Sequence, residues 1–396
     1  MSHSDVGEHS SGHESGGENS FHARAKRRIA SLEGELAALR ETSKKQNRRS
    51  DTITHRGRAI RRIVSLFTDV EDLVAEYDRR SDFAAEHPGE DPATHCTEEQ
   101  DQLYSSFEEL LIYLPWMKRK ILKCDPDGLD AIYKQLRKGA DSARGDDTAN
   151  LKGAVVTWIG ELFHPISPPL SPTTKEDRGF VHDATGKLIC PAEYNWILDS
   201  VKGKIRDRDP SFLVTAHSWP LFLYQNSEFD PTDVEKGLFC SSLMVKAFKY
   251  LFTSPSSAKD VEDDRAQQSG TSRRQVSAGL KTATKNHVAS IMGLKTVTPR
   301  SIAYTAVQLR FALSSVNSWR NTDGDFDYQQ FYYNIIAFFE VTPGTLAKKR
   351  VDALLAWWTR KVFGKGRPIV LPATTIDKCS VSRLTAQRLG KEDDFA

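Results

Sequence analysis

The chain has 396 residues, 39% hydrophobic and 27% charged, with a formal net charge of +2. Its mean hydropathy of -0.50 is low for a fully packed chain, so part of it is expected to stay unpacked. The longest apolar runs, Leu110–Met117, Ile335–Phe339 and Ala353–Trp358, fall well short of the roughly 18 residues of a membrane span. Five scattered cysteines (Cys96, Cys124, Cys190, Cys240 and Cys379) include no Cys-x-x-Cys pair, which argues against a zinc site or a disulfide framework. A reducing compartment fits that usage. The polar N-terminus has no apolar core of the secretory type, so the expected location is the nucleus or the cytoplasm.

Residues 1–20 are rich in Ser, Gly, Glu and His and are expected to be disordered. Residues 21–85 read as a basic helical arm. Ile29, Leu32, Leu36 and Leu39 follow a heptad-like spacing, which resumes at Ile60, Ile63, Phe67, Val70, Val74 and Tyr77. Two outcomes fit that seam: a short coiled coil making a homodimer through residues 29–77, or docking of the second helix on the chain's own core.

Thr97-Glu98-Glu99-Gln100 is a capping box, followed by a helix burying Leu103, Phe107, Leu110 and Leu114. Pro115 interrupts it. Asp125-Pro126 opens a helix expected to stop near Gly139, and another runs through Val155, Trp158 and Leu162. Phe180–Pro191, with Asp-Ala-Thr-Gly at its centre, reads as a small hairpin. Leu238–Phe252 is strongly apolar and helical. Residues 254–278 have almost no apolar content and read as a disordered insertion.

In the last third, Thr298-Pro299 opens a helix with apolar residues on two faces, the pattern of a central, buried element. Asp325 or Asp327 caps the next helix, and Thr342-Pro343 opens one ending before Gly364. Residues 367–396 read as a frayed tail. The expected fold is mainly α. It is a single irregular helical domain over 95–364 with at most a short β-hairpin, preceded by the basic arm and the disordered start.

The second half also carries Arg178-Gly179-Phe180, Thr185–Pro191, Phe252–Ala258 (FTSPSSA), Val297–Tyr304, Gln308–Ser315 and Asp325–Tyr328. This set resembles a family of uncharacterised basidiomycete fungal proteins that share a domain of unknown function. The resemblance spans roughly residues 95–364. It implies one continuous domain with a variable insertion after Ala258, and no activity, cofactor or catalytic residue.

Functional motifs are sparse. Asn321–Asp327 looks like a calcium loop, but the turn glycine and the bidentate glutamate are missing, so caps and a turn explain its acids. His217-Ser218 lacks a nucleophile elbow. His164, His182, Cys190, His217 and Cys240 have no metal-site spacing. The Trp219, Trp319, Trp357 and Trp358 rings fit core positions better than a ligand stack. Ser167-Pro168, Ser171-Pro172 and Ser254-Pro255 fit turns or phosphorylation sites.

The clearest candidates are two basic clusters, Lys26-Arg27-Arg28 and Lys44-Lys45 with Arg48-Arg49. Such clusters serve nuclear import or run along a phosphate backbone. The expectation is therefore a non-enzymatic interaction or scaffold protein with an unknown protein partner and no cofactor. A nucleic-acid-associated nuclear protein is the first alternative. An enzyme with a site assembled from distant residues is the second, and it requires a pocket lined by ionisable groups with shifted pKa values.

Overall fold

The computed structural model describes residues 52–259, 261, 288–364, 380 and 382–384. Residues 1–51, with the clusters Lys26, Arg27, Arg28, Lys44, Lys45, Arg48 and Arg49 and the seam Ile29–Leu39, lie outside the described residues, as do most of the insertion and of the 367–396 tail. The described part is mainly helical, with one two-stranded antiparallel hairpin.

In chain order, α1 is Ile60–Ile63, α2 Val70–Glu86, α3 Glu98–Tyr113, α4 Trp116–Lys123 and α5 Pro126–Leu162. Next come α6 Asp183–Ile189, α7 Asp199–Arg206, α8 Ser242–Phe252, α9 Pro255–Lys259 and α10 Val288–Ile291. The remaining elements are α11 Pro299–Leu313, β1 Thr322–Asp323, β2 Phe326–Asp327, α12 Tyr328–Glu340 and α13 Thr345–Phe363. Among the described residues no helix is long and apolar enough to cross a membrane.

α11 is the axis. All of its residues from Arg300 to Leu313 are buried, and α1, α5, α6, α8 and α12 pack around it. Its two-faced apolar pattern has this physical cause: a helix surrounded by helices has no solvent side to keep polar. Thr298 and Ser301 cap its start reciprocally, and Pro299 occupies its first turn. The Thr97–Gln100 box likewise starts α3.

The second seam packs within the protein. Ile60, Ile63, Val70 and Val74 are buried in the same core cluster as α11, with Phe67 and Tyr77 packed against it. Residues 60–85, placed in the arm on sequence grounds, thus share the core with residues 95–364.

Three local readings need correction. The helix expected to stop near Gly139 runs unbroken for 37 residues, about 55 Å. Gly139 is there for close approach: an added Cβ would lie 1.9 Å from the Thr54 carbonyl oxygen. Gly57 meets the same helix from the other side, with a Cβ position 2.2 Å from the Leu136 oxygen. The hairpin expected at Phe180–Pro191 is instead α6. Its start is capped by His182 Nδ1, which accepts from the Ala184 N–H. Gly186 is no turn residue; it lets the Trp196 ring lie against the helix, 2.3 Å from where a Cβ would sit. The hairpin of the fold lies at β1–β2, with Gly324 at φ 63° in its turn. Third, the insertion starts later than 254, because Pro255–Lys259 is helical and Ala258 is buried against the core. Ser254 links by its hydroxyl to Ser256 and Ser257 there.

Candidate functional site

The cores of α-helical proteins rarely bury charge without a partner. Here α11 and its neighbours bury several, in three arrangements.

The first is a closed triad. Arg62 of α1 donates twice to Asp147 of α5, both bonds 2.7 Å, and the Tyr304 hydroxyl of α11 donates to the same carboxylate at 2.6 Å. Burial pulls the Arg62 pKa down, but the bonds and charge of Asp147 more than offset it, so the guanidinium stays charged. Burial and the Asp147 charge raise the Tyr304 pKa well above the ordinary phenol range. Every member is satisfied by another, so the triad is structural.

The second lies at the start of α11. Arg300, 2% exposed, donates to the Val64 carbonyl and to the Ser105 and Ser106 hydroxyls. Its Nε stands 3.6 Å from Glu340. Burial raises the Glu340 pKa, opposed by Arg300. This pair floors a groove of about 320 Å³ between α3 and α12. Tyr333, Ile336, Ala337 and Val341 wall one side, and Glu98 and Asp101 rim the other. Val341 is 75% exposed. The groove is apolar with an acidic margin.

The third lies at the end of α11. Lys175, Arg178 and Arg310 are all at most 2% exposed. Lys175 Nζ donates to the Phe311 carbonyl and, at 2.6 Å, to that of Val316, and sits 3.5 Å over the Phe311 ring. Arg178 donates to the Ala312 and Ser171 carbonyls, each at 2.8 Å. Arg310 reaches Asp323 at 3.3 Å and lies over the Phe326 ring. Cations at a helix C-terminus satisfy its free carbonyls and its dipole. Burial, with Arg178, Arg310 and Lys152 adding and Asp323 opposing, lowers the Lys175 pKa to about 7. Lys175 faces a cavity of about 290 Å³ lined also by Arg144, Lys152, Asn317 and Trp319. Burial lowers the Arg144 pKa as well. Two cations with lowered pKa values thus border this cavity. Among the described residues no carboxylate or imidazole hydrogen-bonds to Lys175.

The other sequence candidates resolve into local structure. Asp323 pairs with Arg310, and Asp327 caps α12 by accepting from the Gln329 and Gln330 N–H groups. These acids thus serve as ion pair, turn and cap. The Ser218 hydroxyl donates to Glu193, while the exposed His217 donates its backbone N–H to the Thr215 hydroxyl oxygen. Among the described residues no three His, Cys, Asp or Glu side chains gather to hold a metal. Cys190 is buried and its thiol is pushed up to about 12 by burial and Glu193, which makes it unreactive. Trp358 is fully buried and donates to the Phe239 carbonyl. Trp319 is the exception, since it lines the Lys175 cavity under Arg144.

Sequence reasoning missed Lys175, Arg178, Arg300 and Arg310. An isolated cation in a helix or loop gives no periodic signal, and only the unbroken burial pattern of α11 hinted that Arg300 and Arg310 must be inside.

A family model described as a family of unknown function, DUF6698, matches residues 138–363. The chain belongs to this family. No curated protein and no solved structure matches it. The DUF6698 match begins inside α5, so α1–α4 precede it although they share its core.

Proposed function

We propose that this DUF6698 protein is a non-enzymatic interaction protein whose helical core receives a basic amphipathic helix from a protein partner. The observation that carries the reading is the α3–α12 groove. Its apolar wall of Ile336, Ala337 and Val341 faces Glu98 and Asp101, the latter already paired with Arg80 at 2.7 Å, so Glu98 is the acid open to a helix with one apolar and one cationic face. Residues 24–49 of this chain have that chemistry, with nine Lys and Arg against three Glu and a stripe of Ile29, Leu32, Leu36 and Leu39.

The test is anisotropy of a labelled synthetic peptide of residues 21–50 titrated with the full chain. Binding is expected, weakened at least about tenfold by Ala337→Arg, which places a like charge in the groove. Failure to bind both the full chain and a chain lacking residues 1–50 would refute the reading. Binding only to the truncated chain would mean that the arm fills the groove itself; the homodimer expected through residues 29–77 would then reduce to an exchange of the segment before residue 51, since Ile60–Tyr77 pack in the chain's own core.

The basic clusters favour a second reading, in which Lys26, Arg27, Arg28, Lys44, Lys45, Arg48 and Arg49 contact nucleic-acid phosphates in the nucleus. Binding to double-stranded DNA should then fall steeply with salt and vanish without residues 1–62. Separately, we propose a fungal kinship from the resemblance carried by Phe252–Ala258 and Val297–Ser315.

A further inference from the structure

We propose that the cavity between α5 and the C-terminal end of α11 binds a small phosphorylated ring compound, with Lys175 and Lys152 holding the phosphate and Trp319 facing the ring. This site is separate from the α3–α12 groove, at the opposite end of α11, and does not rest on the interaction reading.

Three observations converge there. Charge is the first. Arg144, Lys152 and Lys175 line the cavity, and the one acid on its wall, Asp141, is shared between Arg144 at 3.5 Å and Arg61 at 3.2 Å. Behind the cavity, Arg178 and Arg310 add two more buried cations facing Asp177 and Asp323. The region therefore keeps an excess of positive charge in a low-dielectric setting. That excess is costly without an anion and favourable with one.

Unused donors are the second. A lysine ammonium has three N–H groups; the Phe311 and Val316 carbonyls take two of those of Lys175, and the third has only the Phe311 ring, a weaker acceptor than a phosphate oxygen. Lys175 is 2% exposed and lines the cavity. Lys152 and Asn317, on the same walls, have no hydrogen-bond partner among the described residues. A phosphate carries about -1.5 to -2 charge and three acceptor oxygens, which matches this set better than a carboxylate does.

Shape is the third. The volume, about 290 Å³, lies near the lower edge of the range for small-molecule sites, about 300 Å³ upward. Trp319 is half-buried: Phe67 and Tyr328 stack near its ring, Phe311 tilts against it and Arg144 lies over it, while its exposed part borders the cavity. A planar ring attached to the phosphate would lie against it. The lowered Lys175 pKa fits an amine waiting for an anion, because a bound phosphate would restore its proton.

The experiment is calorimetric titration of the full chain at low salt with adenosine monophosphate, inorganic phosphate and adenosine as probes. Adenosine monophosphate should bind at least about tenfold more tightly than either half alone. Lys152→Glu should weaken it by at least about tenfold, with circular dichroism and the unfolding midpoint confirming an intact fold, since Lys152 has no partner to lose. Trp319→Leu should remove the advantage over inorganic phosphate. Absence of binding by both adenosine monophosphate and phosphate at millimolar concentration would overturn the proposal. So would binding that Lys152→Glu leaves unchanged, which would place the nucleotide elsewhere, for instance on the basic arm.

Discussion

Replacing Asp147 by Ala tests whether the buried triad holds α1 to the core. The substitution leaves the Arg62 guanidinium, 6% exposed in its side chain, without its two 2.7 Å acceptors, and the Tyr304 hydroxyl without its own. Breaking a buried ion pair from one side costs about 3–5 kcal/mol, because the remaining charge is uncompensated. Tyr304→Phe removes only one hydrogen bond to a charged acceptor, about 1.5–3 kcal/mol. The double variant Arg62→Met/Asp147→Leu removes both charges and fills the space. It should be more stable than Asp147→Ala, although it carries one more substitution. Urea unfolding followed by far-UV circular dichroism gives the three values at constant slope. A loss below about 1 kcal/mol for Asp147→Ala would refute the reasoning, since a charge that tolerates isolation is not buried as described.

Gly139→Leu should destabilise by at least about 1–3 kcal/mol through overpacking against the Thr54 carbonyl, whereas the same change at Gly145, which has nothing near its Cβ position, should have little effect; thermal unfolding of both distinguishes them. Lys175, with a folded pKa of about 7 against an ordinary 10.5, sheds its proton earlier when folded, so stability should rise from pH 7 toward about 9 by up to about 1.4 kcal/mol per pH unit. Above about 9 the raised Cys190 thiol works in the opposite direction, and Lys175→Met should flatten the rise in denaturant midpoints between pH 7 and 8.5. Thr97→Ala should cost about 1 kcal/mol by opening the capping box of α3, visible as a lowered unfolding midpoint.

Where a signal was local and chemical, the sequence was readable. Thr97 with Gln100, Thr298 before Pro299, and Asp327 before α12 each announce a helix start, because the side chain bonds its own backbone within three residues. α11 was legible as a buried element because its apolar residues cover two faces. Gly139 and Gly186 were misread for one shared reason. A glycine that ends a helix or makes a turn and a glycine that admits a neighbour look alike in sequence, and only Thr54 and Trp196, 85 and 10 positions away, decide between them. The Lys175 cavity and the α3–α12 groove were illegible for a related reason. Each gathers residues from elements far apart in the chain, and neither contains a motif shorter than the fold itself.

The helix that carries Asp147 has a consequence for how this family is cut and compared. A fragment beginning at residue 138, where the family match begins, would start in mid-helix. It would lose Ile132 and Leu136 from the core. It would also strand Asp147 without Arg62, and Arg300 without Val64, Ser105 and Ser106. The recurring segment is thus smaller than the unit that folds. A relative in which that segment follows a different leading sequence must find another cation for its Asp147 equivalent and another cover for the same face of α11.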